Sequence, residues 1–338
     1  MSQAANSAGH APAAPRTVAG LIDDLQDQDV ALARELIPIP THFEPLDHAL
    51  GGGLRAGELM VVGGPPGVGK TIATLQWARS IAMAGGTAIY ACYEHDETAL
   101  LTRLIALELG ELPRYDGDEH IERLREGFRD VAEGRARLAD VLTREEFVRR
   151  AYGRVREYAE RLWLVRCSSV RTGVPALEEM VEQRKDDVTV LFVDYLQKVA
   201  LHPESADDAE KATRVVEALK ELALSHRIPV VAVVAGDRDG LSARRVRLNH
   251  LSSSAALAYE ADVAIILNDK TSAVSKVHLA YDTVRAKTFR DYTVFSIEKN
   301  RGGPATLDLE FRKDFVYFRF NPSGGLVAER LVDERYAE

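Results

Sequence analysis

Cysteine is scarce in this sequence: two in 338 residues, Cys92 and Cys167. Both lie in apolar, strand-like stretches without metal-ligand spacing, so neither a disulfide framework nor a zinc site is expected, and both thiols read as small buried hydrophobes of a reducing compartment. Long apolar runs are lacking as well. None approaches the roughly 18 residues of a membrane helix, and the N-terminus has no basic segment leading into an apolar one, so neither a membrane span nor a secretion signal is expected. The default localisation is cytoplasmic. Positive charge is also in deficit, with 43 Lys and Arg against 52 Asp and Glu and a net charge of −9. That balance excludes a surface basic throughout, but leaves room for a locally basic channel. No internal repeat is visible.

The chain has 46% hydrophobic residues, enough for one large α/β domain with appendages. Residues 1–16 are mostly Ala, Ser, Gly and Pro, with too little large apolar side chain to offset the entropy of ordering, and read as a disordered tail. Over residues 17–36, Val18, Leu21, Ile22, Leu25, Val30, Leu32 and Leu36 give a helical apolar spacing, broken near Asp27-Gln28-Asp29. From "ELMVVGG" onward, apolar runs and amphipathic segments alternate. The strands "ELMVVGG", "TAIYACYE", "LWLVRC", "VTVLFVDYLQ" and "IPVVAVVA" are separated by helical patterns, the order of a parallel sheet with crossover helices. Residues 111–160 read as a charged, helical surface insertion with solvated faces. Further strands are expected at "ADVAIIL", "TVFSIEKN", "ATLDLEF" and "DFVYFRF", followed by a tail over residues 327–338.

The clearest chemistry is at residues 64–71: Gly64, Pro65, Pro66, Gly67, Val68, Gly69, Lys70 and Thr71. They form a G-x-x-x-x-G-K-[ST] motif directly after an apolar strand and directly before a helix. In that setting backbone N–H groups curl around phosphate, the helix N-terminus adds its positive end, and Lys70 reaches the terminal phosphates of ATP. Thr71 is the expected Mg²⁺ ligand. A second carboxylate for the metal is supplied by Asp194, at the end of "VTVLFVD", acting partly through water. Glu94 ends the strand after the P-loop helix, where a parallel sheet brings it near the γ-phosphate as base or water-positioner. His95 beside it reads as a solvated neighbour.

The blocks "THFEPLDHALGGGLRAGELMVVGGPPGVGKT", "YEHDETALLTRL", "LFVDYLQ", "EALKELALSHRIPVVAV", "EADVAIIL" and "EKNRGGPATLDLEF" together resemble the C-terminal ATPase domain of DnaB-type replicative helicases. The similarity runs in order over roughly residues 37–320. It implies a RecA-like P-loop fold over residues 37–326, a mostly parallel twisted sheet flanked by helices with additional C-terminal strands, assembling into a homo-hexamer around single-stranded DNA. The family hydrolyses ATP with Mg²⁺ between subunits, and Lys70, Thr71, Glu94 and Asp194 match its ATP and metal positions. Lys299 and Arg301, in "KNRGGP", match the basic pair that reaches a neighbour's γ-phosphate. A rigid fork of donors stabilises charge on the transferring phosphoryl group. Residues 17–36 match the linker helix that docks on the adjacent subunit. The family's separate N-terminal helical domain, which serves ring collaring and primase contacts, has no counterpart in residues 1–16.

Two places depart from the family pattern. The strand after "PV" usually ends in Ser-Gln followed by Asn/Ser-Arg, the glutamine sensing γ-phosphate and relaying the nucleotide state to the DNA loops. Here those positions read Val234-Ala235 and Asp237-Arg238. Arg238 keeps the match, while the side chain of Ala235 has neither donor nor acceptor. The family's DNA-contacting Arg-Glu-Ser-Gly is replaced by Ser252-Ser253-Ser254-Ala255. The loop of residues 242–250 still carries Arg244, Arg245 and Arg247, which with Arg238 are the candidates for sequence-independent phosphate contacts. Two readings therefore stand. One is a motor of the DnaB type, with a replication or recombination protein as partner. The other is a non-helicase ring ATPase akin to RadA and KaiC, whose ATP cycle controls assembly or a protein partner.

Overall fold

Parallel strands covered on both faces need near-continuous apolar runs, because every side chain points into one layer or the other. The computed structural model shows such runs where the sequence predicts them. It describes residues 17–20, 22, 37–113, 119–184, 189–203, 207–237, 240, 242–251, 254–275, 278 and 283–332. The chain divides into two units, Met1–Ile37 and Pro38–Glu338. The expected tail 1–16 and most of the expected linker helix lie outside the described residues; within the latter, residues 18–20 and 22 are helical.

In the second unit a short helix α1 (Glu44–Ala49) precedes β1 (Leu59–Gly64), whose six residues are all buried. There follow α2 (Lys70–Met83), β2 (Ala88–Cys92), α3 (Glu97–Glu111), α4 (Glu119–Ala132), α5 (Leu138–Arg144), α6 (Glu146–Tyr158), β3 (Leu162–Arg166), α7 (Val174–Glu182), β4 (Val190–Asp194), α8 (Asp208–His226) and β5 (Val230–Ala235). After α9 (Ser254–Glu260) and β6 (Val263–Asp269) come α10 (Lys270–Ala273), α11 (Thr283–Phe289), β7 (Tyr292–Asn300), β8 (Leu307–Asp314), β9 (Arg319–Phe320) and β10 (Gly325–Leu326). One sheet takes the order β10-β8-β7-β6-β1-β5-β4-β2-β3, with β9 paired to β8. From β3 to β6 the pairs are parallel. At β7 the direction reverses, so β7 and β8 return antiparallel beside β6. The strand order changes direction next to β1, which leaves a crevice at the carboxyl ends of the parallel strands, where such folds bind ligands.

The sheet separates two apolar layers. One holds α2, α3 and the α4–α6 helices together with Phe43, Phe295, Phe311 and Phe320; the other holds α7, α8 and α9. Within residues 111–160 the described residues are mostly helical, as expected, yet they are not an appendage. Ile121, Leu124, Leu142, Val148, Ala151, Val155 and Tyr158 are buried in the same core as the P-loop helix. Glu108 explains the attachment: fully buried on α3, it takes two bonds from Arg79 of α2, at 2.5 and 2.7 Å, and an ion pair from Arg154 of α6 at 2.9 Å. A buried carboxylate so paired locks three helices in one arrangement, since breaking any arm would strand a charge.

Two expectations need correction. "DFVYFRF" is not one strand: Asp314 ends β8, Phe315–Tyr317 form a 3₁₀ turn and Phe318 is left-handed at φ 49°, leaving Arg319–Phe320 as a separate short strand. The turn drives Phe315 and Phe320 together, edge to face at 5.1 Å, beneath the P-loop. Residues 327–332 are not a free tail either. Leu331 and Val332 are buried, Leu331 pairs with Val274, and the Val332 N–H donates to the Ala273 carbonyl at 2.8 Å. Residues 333–338 lie outside the described part.

Candidate active site

Between β1 and α2 the chain must turn through backbone angles closed to most side chains. Gly64 and Gly69 have φ of 143° and 98°. A Cβ on Gly64 would come within 2.3 Å of the Leu267 carbonyl oxygen, and one on Gly69 within 2.7 Å of both Phe315 and Phe320. Glycine is required at both points for backbone angle and for space. Gly69 caps α2 without a side-chain hydrogen bond, so the first N–H groups of the helix remain for an anion.

Around this loop lies a cleft of about 390 Å³ lined by Pro66, Gly67, Gly69, Lys70, Thr71, Glu94, His95, Arg103, Asp194, Ala235 and Phe318, among others. The expected P-loop residues, Glu94 and Asp194 are thus brought together. Topology does this: β2 and β4 are neighbours with Cys92 level with Asp194, so Glu94, two residues past the end of β2, stands beside Asp194. Glu94 is exposed at the cleft; His95, expected to be a solvated neighbour, is half-buried and lines the cleft.

Lys70 Nζ donates to the carbonyl oxygens of Gly64 and Pro65, at 2.8 and 2.9 Å. Burial lowers its pKa to about 8, with Asp194 and Glu94 acting the other way. The ammonium is held ready over the loop and gains most when a polyanion arrives. Asp194 is 1% exposed. Its Oδ2 accepts from the Tyr90 hydroxyl at 3.0 Å, and Tyr90 in turn is bonded to Thr74 Oγ1 at 2.9 Å. Oδ1 is buried without a hydrogen bond. Burial raises the carboxyl pKa, opposed by the Thr71 and Tyr90 hydroxyls. An orphaned carboxylate oxygen beside a threonine hydroxyl and a phosphate cradle fits Mg²⁺, which is bound through one or two carboxylates, water and substrate phosphates.

Lys299 and Arg301 are at the other end of the sheet. β7 runs antiparallel to β6, with Asn300 level with Val263 at the start of β6. Arg301 is thus level with the start of β1, whose length at about 3.3 Å per residue sets it roughly 17 Å from the P-loop of its own chain. Lys299 Nζ donates to the carbonyls of Ala258 and Tyr259, at 2.6 and 3.3 Å. Burial and the neighbouring Arg301 lower its pKa.

The basic loop is largely engaged with its own chain. Arg245 is buried, donating to Asp308 at 2.6 Å and to Ser296 at 3.0 Å. The expectation that it contacts nucleic acid is corrected: its side chain is buried and its charge is paired with Asp308 of its own chain. Arg247 is half-buried and ion-paired with Glu298 at 2.6 Å, and Arg244 donates to the Val274 carbonyl. Arg238, Ser252 and Ser253 lie outside the described residues. Ala235 lines the cleft, and its backbone is clasped by Gln197, whose amide donates to the Ala235 carbonyl at 3.1 Å and accepts its N–H at 3.3 Å. Sequence reasoning passed over Tyr90, Gln197 and Asp262. Asp262 stood inside "EADVAIIL", where a charge before an apolar run looks like an ordinary strand start.

Comparisons with known proteins agree with this geometry. Residues 38–320 match the sequence model of the DnaB-like helicase C terminal domain. The replicative DNA helicase DnaB of Treponema pallidum (strain Nichols) is 26% identical over 293 residues, which are 84% of this chain and 56% of that protein. A shorter match, 40% identical over 73 residues, covers 22% of this chain and 15% of the DNA repair protein RadA of Mycobacterium tuberculosis (strain CDC 1551 / Oshkosh). Among solved structures, the ATPase domain of G40P superposes with a TM-score of 0.66 at 16% identity, covering 90% of this chain and 96% of that one. A DnaB-like replicative helicase, described with its interactions with primase, gives 0.66 at 15%, covering 90% and 66%. These two structures share the RecA-like fold. The chain spans about half the length of the DnaB relative it matches.

Proposed function

This chain belongs to the DnaB-like helicase C terminal domain family, and on that premise we propose that it is an ATP-hydrolysing ring motor that binds and translocates on single-stranded DNA, with its active site shared between neighbouring copies. The observation that carries the reading is the separation of two half-sites. The P-loop, Glu94 and Asp194 stand at the carboxyl ends of the parallel strands, and Arg301 stands at the opposite edge. An arginine about 17 Å away along the strands is out of reach of its own nucleotide. Its side chain, 51% exposed, suits a nucleotide on the next copy instead. A head-to-tail contact whose rotation closes gives a ring, and a ring of six copies is what the family resemblance supports.

In this reading the α2 N-terminus and Lys70 hold the ATP phosphates, Thr71 and Asp194 hold Mg²⁺, and Glu94 orients the attacking water. Bound Mg²⁺ would neutralise charge on the β- and γ-phosphate oxygens. Arg301, with Lys299 beside it, supplies fixed positive charge from the neighbouring copy. Single-stranded DNA would pass through the ring centre, where Arg244 and Arg247 are the arginines of the expected DNA loop that are not buried. A replication or recombination protein as partner belongs to the same reading.

A second reading, a ring ATPase that serves a protein partner, is favoured by two observations: Ala235 has no relay side chain, and Arg245 is buried in its own chain. ATPase rate with and without single-stranded DNA at two salt concentrations separates them. Stimulation that fades with salt supports the motor, because backbone binding releases counterions. A rate indifferent to DNA contradicts the motor and supports the second reading.

A further inference from the structure

Arg301 is half exposed, yet it is fixed from behind at three points. Its backbone N–H donates to the Asp262 carbonyl at 2.9 Å. Its Nη1 donates to Asp262 Oδ1 at 3.0 Å, and its Nη2 to the Tyr259 carbonyl. Asp262 is itself immobile. It is 5% exposed, and its Oδ2 accepts from the Leu59 N–H at 2.8 Å and from Lys220 Nζ at 2.7 Å. Lys220 donates in addition to the Gly57 carbonyl at 2.8 Å. One carboxylate thus joins the start of β1, helix α8 and the residue after β7.

We propose that Asp262 is the positioning residue for Arg301: it fixes the guanidinium on the rigid start of β6 so that the remaining N–H donors face the neighbouring copy's nucleotide. This rests on the reading of Arg301 as a donor to a neighbour's nucleotide. The physical case is one of order. A free arginine side chain must lose much rotamer freedom to meet a γ-phosphate, whereas a planar fork already held by two acceptors loses little. Stabilisation of transferring charge is strongest when the donors need no reorganisation during the reaction. The charge balance agrees: Asp262 faces two cations, Lys220 and Arg301, so pairing with it does not cancel the positive charge that Arg301 offers outward. Lys299 adds to it, its ammonium bonded to the same α9 carbonyl, Tyr259, that receives Arg301.

A merely structural role for Asp262 makes a different prediction, because its bond to Leu59 lies at the root of the strand that leads into the P-loop of the same chain. The test is Asp262→Asn, which keeps an acceptor for Leu59 but removes the charge that holds Arg301, co-assembled with Lys70→Ala. We expect the Asp262→Asn ring alone to lose 10- to 100-fold in kcat, estimated as about 10-fold or more below a full arginine deletion, with KM for ATP unchanged. Co-assembly should restore turnover, since the Lys70→Ala copies present an intact Arg301 to the intact P-loops of the Asp262→Asn copies. Wild-type kcat in Asp262→Asn, or a loss that co-assembly does not restore, overturns the proposal. If Asp262→Asn fails to fold, Asp262→Glu, which keeps the charge but displaces it by one methylene, is put through the same assay with the same two outcomes. Arg301→Ala in parallel separates the two levels: if it too is not restored by Lys70→Ala, the shared-site reading fails and the role of Asp262 falls with it. If Arg301→Ala is restored and the Asp262 variant is not, the role of Asp262 alone fails.

Discussion

The Tyr90 hydroxyl donates to Asp194 Oδ2 at 3.0 Å and leaves Oδ1 of the same carboxylate buried without a hydrogen bond. One oxygen is held by the protein, and the residue lines the same cleft as the P-loop and Glu94. Tyr90 is fully buried and stacked on Phe192, ring centroids 5.7 Å apart, so its hydroxyl is a fixed support.

Tyr90→Phe removes that support without opening a cavity. Loss of a hydrogen bond to a buried charged group is expected to lower stability by about 1–3 kcal/mol. The Mg²⁺ concentration for half-maximal ATPase should rise several-fold as Asp194 loses its orientation, read from a Mg²⁺ titration of the rate. An unchanged Mg²⁺ dependence would remove Tyr90 from the site.

Lys70→Ala should abolish ATP hydrolysis while leaving the fold intact, because Lys70 bonds only to carbonyls at the edge of the cleft. Normal turnover in the variant would refute the assignment of the phosphate cradle.

Nucleotide binding should take up protons just above pH 8. The Lys70 ammonium has a pKa lowered to about 8, and bound phosphates favour its charged form, so the complex binds more protons than the free protein between pH 8 and the ordinary lysine range. Calorimetric titrations at pH 8.5 in buffers of different ionisation enthalpy should report uptake, and affinity should fall as pH rises through this window. At pH 7 the free ammonium is already protonated and the linkage should vanish. The same depressed pKa makes the free fold gain stability as pH rises from 8 towards 10, since the unfolded chain then binds more protons.

Arg245→Ala should act on stability and leave DNA affinity alone. It strands Asp308 and empties a buried site, an effect of about 3 kcal/mol for a broken, largely buried pair, measured by denaturant unfolding. The salt slope of single-stranded DNA binding should stay at the wild-type value; a slope lower by about one unit would mean a lost phosphate contact.

Much of this site was legible in the sequence because its chemistry is local. Eight consecutive residues, 64–71, form the loop proposed to cradle phosphate, and the apolar run before them predicts the strand β1 that presents it. Glu94 and Asp194 could be placed at one edge because a parallel sheet aligns its strand ends, and β2 and β4 do bring them to one cleft. Arg245 was misread for the opposite reason. Its partner Asp308 is 63 residues away, and a basic run does not reveal which of its members a distant carboxylate buries. "DFVYFRF" reads as a strand by composition, but the packing of Phe315 and Phe320 under Gly69 needs a turn there. Asp262 and Arg301, 39 residues apart, meet only through the antiparallel register of β6 and β7.

The proposed shared active site is tested most directly by co-assembling Lys70→Ala with Arg301→Ala, each expected to be inactive alone. One variant has an intact Arg301 and the other an intact P-loop, so random assembly through a head-to-tail interface makes about one site in four complete. The account predicts that mixed rings recover ATPase activity, while rings mixed before assembly with an unrelated inactive protein do not. Mixed rings as inactive as either parent would contradict it.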